Sequence, residues 1–508
     1  MSSEKTRKGV TLAAVAFLGL STILPTVVRA QNCQMGREGS AATDARIHNG
    51  TYVIPCSFFG MHINKLTTPW PVPHFANLRL HDSYVNWLQI ETSQGNYNYD
   101  YVDQWIAKAQ AYNVSLLYTF DGVPSFYSSV PGDTNCAYAP GACHPPVDLN
   151  PDGSGTDAAF QNFVMNLVNH VGKNIQYWEI WSEPNLPNFW VPTCVYRKNC
   201  YNKTSKCTGI SGTNLCYAQL LRMAADASAI IKAANPNAVV LTPAPAGWVA
   251  EICCPSTTIG HAAMWMNQYL EWLNRGGGDC PPTGQCPQPD VISFHGYVNL
   301  VVGGNFVMGG FPVAEDEPAL IEQIKGVASA NGQQGKPLWI TEGSWDSPVS
   351  DGFSDAVLQT AFLARYILLQ QSMGIAQAYW YQWDSHVGIG TLWQGPASPV
   401  ANDWRLAGYA YNSIVNWTMG ATLTSACATE KGSTSVWVCK YSRSTPADYS
   451  AEIVWNADGN SSYQLTQGFA QYCDLKGNVT PVEGKKVQIG IWPILLENEN
   501  LGQKACQQ

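Results

Sequence analysis

Two stretches of the chain end a β-rich run on a glutamate, a position from which a carboxyl group can act on a bound molecule. Glu183 closes the run in Tyr177-Trp-Glu-Ile-Trp-Ser-Glu-Pro-Asn185, and Glu342 closes the run in Leu338-Trp-Ile-Thr-Glu-Gly-Ser344. Two carboxyl groups facing one acetal carbon can split a glycosidic bond. One protonates the leaving oxygen, the other attacks the anomeric carbon, and in retaining enzymes they stand about 5–5.5 Å apart. A single glutamate at a strand end is more often a solvated or ion-paired group. The argument therefore rests on two such ends, each flanked by Trp and by Pro or Gly.

Bringing residues 159 positions apart to one point requires a scaffold whose strands share a mouth. Eight β-rich runs supply it: Phe58–Asn64, Asn77–Ser83, Val114–Phe120, Ile175–Ser182, Ala238–Pro243, Val291–Tyr297, Pro337–Glu342 and Gln377–Trp383. Helical patterns alternate with them over Tyr101–Tyr112, Asp157–Val171, Tyr217–Ala234, His261–Asn274, Ala319–Ala330 and Asp355–Met373, and a last one runs from Leu406 to Met419. Only the first connection lacks such a pattern, being interrupted by Pro69, Pro71 and Pro73. This alternation predicts a (β/α)8 TIM barrel, α/β in class, with catalytic groups at the C-terminal strand ends. The competing open doubly wound sheet usually carries a Gly-rich nucleotide turn, and neither GxGxxG nor GxxxxGKS/T occurs. After Gly420 the helical period disappears. Thr434–Tyr441, Ala451–Trp455, Tyr463–Leu465 and Val487–Ile491 predict a small antiparallel β-sandwich. The predicted organisation is thus a leader over 1–30, a barrel over 31–419 and a β-domain over 420–508.

With these elements in place the chain resembles a known group. Trp178-Glu-Ile-Trp-Ser-Glu-Pro-Asn185 looks like the acid/base motif of the clan A glycoside hydrolases, and Trp339-Ile-Thr-Glu-Gly343 like their nucleophile motif. The order of elements from Phe58 to Met419, followed by a β-sandwich, is similar to glycoside hydrolase family 39 and its bacterial endoglycosidase relatives. Leu78-Arg-Leu-His-Asp-Ser83 with Trp87, Ile90-Glu91 and Tyr97 resembles the second-strand region of that family. Val291-Ile-Ser-Phe-His-Gly-Tyr297 resembles its sixth strand, and Ala378-Tyr-Trp-Tyr-Gln-Trp383 its aromatic eighth strand. The resemblance implies Glu183 as acid/base and Glu342 as nucleophile, with Arg79 holding Glu342 ionised. It also implies His295 and Tyr297 at the same mouth, Tyr297 donating a hydrogen bond to the nucleophile, and Trp383 as the platform under the sugar. One departure stands out. The family usually has Asn before the acid/base, where it binds the sugar 2-hydroxyl, and here that residue is Ser182, whose hydroxyl is shorter and has a single donor hydrogen.

Bulk properties narrow the partner. The 508 residues include only 13% charged residues and carry a net charge of −9, with no Lys/Arg run to dock phosphates, which argues against nucleic acid. Trp (19) and Tyr (24) are numerous enough to stack sugar rings, although large cores consume aromatics too. Lys5, Arg7 and Lys8 precede an apolar run from Val10 to Leu24, and Val28-Arg29-Ala30 gives a cleavage-like site, so the start reads as a secretory signal peptide. An uncleaved anchor is the alternative, opposed by Pro25 and by the cleavage-like residues. All 16 cysteines follow that site, which fits disulfides in an oxidising compartment. Cys136/Cys143, Cys280/Cys286 and Cys427/Cys439 are close enough to staple loops or a hairpin. Cys194, Cys200, Cys207 and Cys216 lack a CxxC pair and are read as bridges, not as a zinc site.

The sequence-based expectation is a secreted retaining glycoside hydrolase acting on an oligo- or polysaccharide, with no metal, no organic cofactor, no nucleic acid and no membrane partner after signal cleavage. Two rivals use the same residues: a carbohydrate-binding barrel that has lost catalysis, and a transglycosylase. Asp82 and Asp384 are lesser site candidates, since loop capping explains either equally well. The glycine-rich segment around Gly303-Gly304 and Gly309-Gly310 reads as a loop at the mouth or as a plain turn-rich insertion.

Overall fold

The computed structural model describes residues 52–193, 217–247, 261–274, 286–298, 313–345, 353, 355–384, 389–395, 404–444 and 448–498, with two short strands at Val301–Val302 and Asn305–Phe306. The leader, the Cys194–Cys216 insertion, Cys280 and the glycine pairs after residue 302 lie outside the described residues.

Eight strands form the barrel: β1 (Phe59–His62), β2 (Asn77–Leu80), β3 (Ser115–Thr119), β4 (Tyr177–Glu179), β5 (Val239–Leu241), β6 (Ile292–His295), β7 (Leu338–Gly343) and β8 (Gln377–Trp380). Their order in the sheet is β5-β4-β3-β2-β1-β8-β7-β6, every neighbouring pair is parallel, and a parallel bridge between Leu241 and Val291 joins β5 to β6 and closes the ring. Such strands are covered on both faces, which is why they read as nearly unbroken apolar runs. Inside the ring, Leu117, Tyr177, Val239, Leu241, Val291, Trp339, Ala376 and Tyr379 make a packed plug. Side chains alternate along a strand. Residues two positions further on, such as Thr119, Glu179 and Thr341, therefore form the next layer toward the mouth.

Helices α1 (Asp100–Tyr112), α2 (Ala158–Val171), α3 (Ala218–Ala234), α4 (His261–Asn274), α5 (Glu317–Ala330), α6 (Ala356–Ser372) and α7 (Leu406–Thr418) follow β2 to β8 in turn. The first connection, with its three prolines, contains no helix. In α2 the buried residues Phe160, Phe163, Val164, Leu167, Val168 and Val171 follow the 3.6-residue period, and Gly172 at φ 57° ends it. Helix α6 is different. Asp355 caps it by accepting from the amides of Val357 and Leu358, and from Gln359 onward every residue is buried. It is enclosed because the β-domain covers it: Tyr441 donates to Gln371 at 3.3 Å, and the Cys427 amide donates to Ser372 Oγ at 2.7 Å.

That domain comprises β9 (Thr422–Thr429), β10 (Val436–Arg443), β11 (Tyr449–Asn456), β12 (Ser461–Gln464), β13 (Gln471–Cys473), β14 (Val479–Pro481), β15 (Lys486–Ile489) and β16 (Ile494–Glu497). A seven-stranded sheet and the two-stranded β12–β15 sheet enclose Val454, Tyr463, Phe469, Val487, Ile489, Ile494 and Leu496. The seventh strand of the large sheet is Tyr52–Val53, which pairs antiparallel with Leu423 and Thr422. Among the described residues the chain thus passes through the β-domain sheet before it builds the barrel, and a boundary drawn at residue 420 alone omits that strand. Trp455 Nε1 donates to Glu315 at 2.9 Å and Ser413 Oγ donates to the Leu475 carbonyl at 3.0 Å, tying the two layers together. Disulfides join Cys136 to Cys143 and Cys427 to Cys439.

Candidate active site

The two candidate glutamates reach the mouth through local irregularities in their strands. Strand β4 stops at Glu179, but the chain pairs again through a bridge between Ser182 and Ala244, and the Glu183 amide donates to the Ala244 carbonyl at 2.8 Å. Glu183 itself sits at φ 47°, a left-handed conformation that costs a residue with a β-carbon about 1–2 kcal/mol. That turn takes its side chain off the strand line. Strand β7 shifts register between Ile340 and Glu342 against β6, and between Ile340 and Gly343 against β8. Bulges of this sort re-aim side chains beside functional sites. Glu342 lies opposite His295 in the resulting ladder.

The two carboxylates converge. An oxygen of Glu183, an oxygen of Glu342 and a nitrogen of His295 all lie within 4.8 Å of one another. Around Glu342, Arg79 Nη1 donates to Oε2 at 2.7 Å and Tyr297 OH donates to Oε1 at 2.7 Å. Around Glu183, His295 Nδ1 stands 2.9 Å from Oε1. Burial pushes the His295 imidazole down to about 4, so it faces Glu183 as a neutral ring. Ser182 is buried, and its hydroxyl accepts from Arg79 Nη2 at 3.2 Å. The structure thus gathers Glu183, Glu342, Arg79, Ser182, His295 and Tyr297 at one end of the barrel.

Trp383 does not join them. Strand β8 ends at Trp380, three residues earlier than the sequence suggests, and the Trp383 amide donates to the His62 carbonyl at 2.9 Å. This turns the indole under the rim against Trp404, where it is 1% exposed and offers no face to a ligand. The aromatic ring that this strand end does present is the half-buried Tyr381, whose hydroxyl donates to Asp82 at 2.6 Å.

Several groups were not singled out from the sequence. Glu179, fully buried in the layer beneath Glu342, accepts from Arg79 Nε at 2.8 Å and from Thr119 Oγ1 at 2.9 Å. Burial alone would raise its carboxyl, but the Arg79 guanidinium outweighs that and holds it below the ordinary range. His81 lies 3.9 Å from Glu342 Oε2, and its Nε2 meets Asp121 at 3.1 Å and Tyr138 OH at 3.0 Å. Tyr138 also donates to Asp82 at 3.2 Å. Of the two lesser aspartates, Asp82 therefore belongs to this cluster. Asp384 caps the turn after β1, accepting from the amides of Asn64 and Lys65. Alternation along Trp178-Glu-Ile-Trp181 is the signal for Glu179: a charged residue inside an apolar barrel strand must point into the lumen.

No protein-family model and no curated protein matches the sequence. Solved structures do match. A family 39 glycoside hydrolase from Bacteroides cellulosilyticus superposes with a TM-score of 0.56 at 15% identity, over 87% of this chain and 80% of that one. A family 39 β-xylosidase from Caulobacter crescentus gives 0.54 at 14% identity, over 88% and 97%. A family 44 endoglucanase from Clostridium acetobutylium gives 0.51 at 14%, over 89% and 98%. The chain shares with these glycoside hydrolases one fold, a closed eight-stranded parallel barrel followed by an antiparallel β-domain.

Proposed function

We propose that the protein is a secreted retaining glycoside hydrolase that cleaves a β-linked glycan by double displacement. The observation that carries this reading is the pair of glutamate carboxylates within 4.8 Å at the C-terminal strand ends. Retaining enzymes hold the two groups about 5–5.5 Å apart, whereas inverting ones leave about 6.5–9.5 Å for a water. Their surroundings differ in the sense that this chemistry needs. Glu342, paired with a guanidinium and a phenol, is set up as the attacking anion. Glu183 faces a neutral imidazole and is the proton carrier.

In the first step Glu342 forms a bond to the anomeric carbon while Glu183 protonates the departing oxygen. In the second, Glu183 takes a proton from water as the water displaces Glu342. Ser182 accepts from Arg79 and keeps its single hydroxyl hydrogen for a further acceptor. The fold likeness to a β-xylosidase and an endoglucanase supports a β-linked saccharide as substrate. Export is supported by the basic, then apolar, start of the chain and by disulfides such as Cys136–Cys143 and Cys427–Cys439.

The test is a panel of aryl β-glycosides and soluble β-glycans. The wild type is expected to release reducing sugar, and Glu342→Gln to release none from any substrate. Full activity in Glu342→Gln, or saccharide binding by the wild type without product, contradicts the proposal.

A further inference from the structure

We infer that Glu179 is a positioning residue: it is the standing counter-ion of Arg79, the partner that remains charged when Glu342 is esterified. The inference rests on the reading of Glu342 as nucleophile and concerns a residue to which no role has yet been given.

Arg79 is completely buried, and its donors are divided between two carboxylates. Nη1 goes to Glu342 at 2.7 Å, Nε to Glu179 at 2.8 Å, and Nη2 lies 2.6 Å from the same Glu179 oxygen. The remaining contacts, Thr119 Oγ1 at 3.0 Å and Ser182 Oγ at 3.2 Å, are neutral. When the anomeric carbon bonds to Glu342, that carboxylate becomes an ester and its charge is lost. The glycosidic C–O bond breaks as Glu183 gives its proton to the oxygen. Arg79 then has one anionic partner left, and removing the anion from a buried ion pair is strongly destabilising. Glu179 cannot be consumed in the same way, because it is sealed in the layer below with no exposed surface.

Among the described residues, no other carboxylate stands in direct contact with Arg79. From β1, His62 is buried and pushed well down, hence neutral. From β2, His81 stands 3.9 Å from Glu342 and is engaged with Asp121 and Asp82, the latter also held by Tyr138 and Tyr381. From β6, His295 is neutral and faces Glu183, and Tyr297 is a donor. Thr341 on β7 and the phenols of Tyr379 on β8 and Tyr366 on α6 carry no charge. In direct contact with the guanidinium, two carboxylates thus share Arg79 at rest, and one remains in the covalent intermediate.

The test uses Glu179→Gln, which keeps the shape and removes the charge, on the aryl β-glycoside turned over fastest in the panel. Glycosyl-enzyme formation is expected to slow by about 100-fold, and the acid limb of kcat/KM to move to lower pH by about one unit, because Arg79 now acts on Glu342 alone. A packing defect lowers the melting temperature without moving that limb. Glu179→Asp is expected to return the limb toward its wild-type position, and carries the test should the Gln variant not fold. In an Arg79→Met background, Glu179→Gln is expected to leave the limb where it is. A folded Glu179→Gln protein with wild-type rate and limb overturns the inference while leaving the hydrolase reading intact. A wild type that turns over nothing overturns both.

Discussion

The ends of strands β4 and β7 each present a glutamate to the same point, and the difference between them is instructive. The β7 end is saturated with donors. Arg79 and Tyr297 hold one oxygen each of Glu342, and His81 stands close by. At the β4 end Glu183, twisted off its strand in a left-handed conformation, meets an imidazole that burial keeps neutral. Identical side chains thus have different immediate contacts, a guanidinium and a phenol on Glu342 and a neutral imidazole on Glu183, and the proposed roles follow that difference. The fold supplies the convergence, and the neighbours supply the division of labour.

Four experiments break or sharpen that contrast. Glu342→Gln removes the group that forms the covalent bond, and kcat is expected to fall on the order of 10⁴-fold or more for every substrate. Glu183→Gln is expected to cost about 10²–10⁴-fold with alkyl or sugar leaving groups. With a dinitrophenyl leaving group, which departs without a proton, its first step is expected to stay near wild type. Equal losses on both substrates would erase the asymmetry. Tyr297→Phe deletes one donor to a charged acceptor and is expected to cost about 1.5–3 kcal/mol of transition-state stabilisation, roughly 10–100-fold in kcat/KM. The fourth effect is on stability and not on turnover. His295 titrates near 4 in the folded protein and at an ordinary 6.5 when exposed. Between those values the unfolded chain binds a proton that the folded one does not, so stability falls as pH drops from 6.5 toward 4 and this contribution levels off below it. Denaturant titrations of His295→Gln are expected to lack this slope, which amounts to about 3 kcal/mol at most.

Much of this was legible in the sequence because the relevant signals are periodic. Eight apolar runs alternating with helical ones specify the barrel, and three prolines mark the connection that lacks a helix. The convergence of Glu183 and Glu342 follows once both are placed at the same end of strands in one closed parallel barrel. What escaped the sequence depends on contacts between distant segments. Trp383 looks like a platform as long as β8 is taken to run on to it. The strand stops at Trp380, however, and a hydrogen bond to the His62 carbonyl, some 320 residues earlier, turns the indole away. Tyr138 belongs to the cluster because its hydroxyl meets His81 and Asp82, a contact with no sequence period. The pairing of Tyr52–Val53 with β9 is of the same kind, since two residues carry too little pattern to announce a strand. Glu179 is the opposite case: alternation within its own motif marks it as inward-facing, and only its partner had to come from the structure.

The assignment of the two roles is tested most directly by azide rescue with an activated aryl β-glycoside, reading the anomeric configuration of the glycosyl azide by NMR. In Glu342→Gly, azide is expected to enter from the face the carboxylate has vacated and give the α-azide. In Glu183→Ala it is expected to intercept the glycosyl-enzyme and give the β-azide. The same anomer from both variants, or the two outcomes exchanged, would contradict the division of labour between β4 and β7.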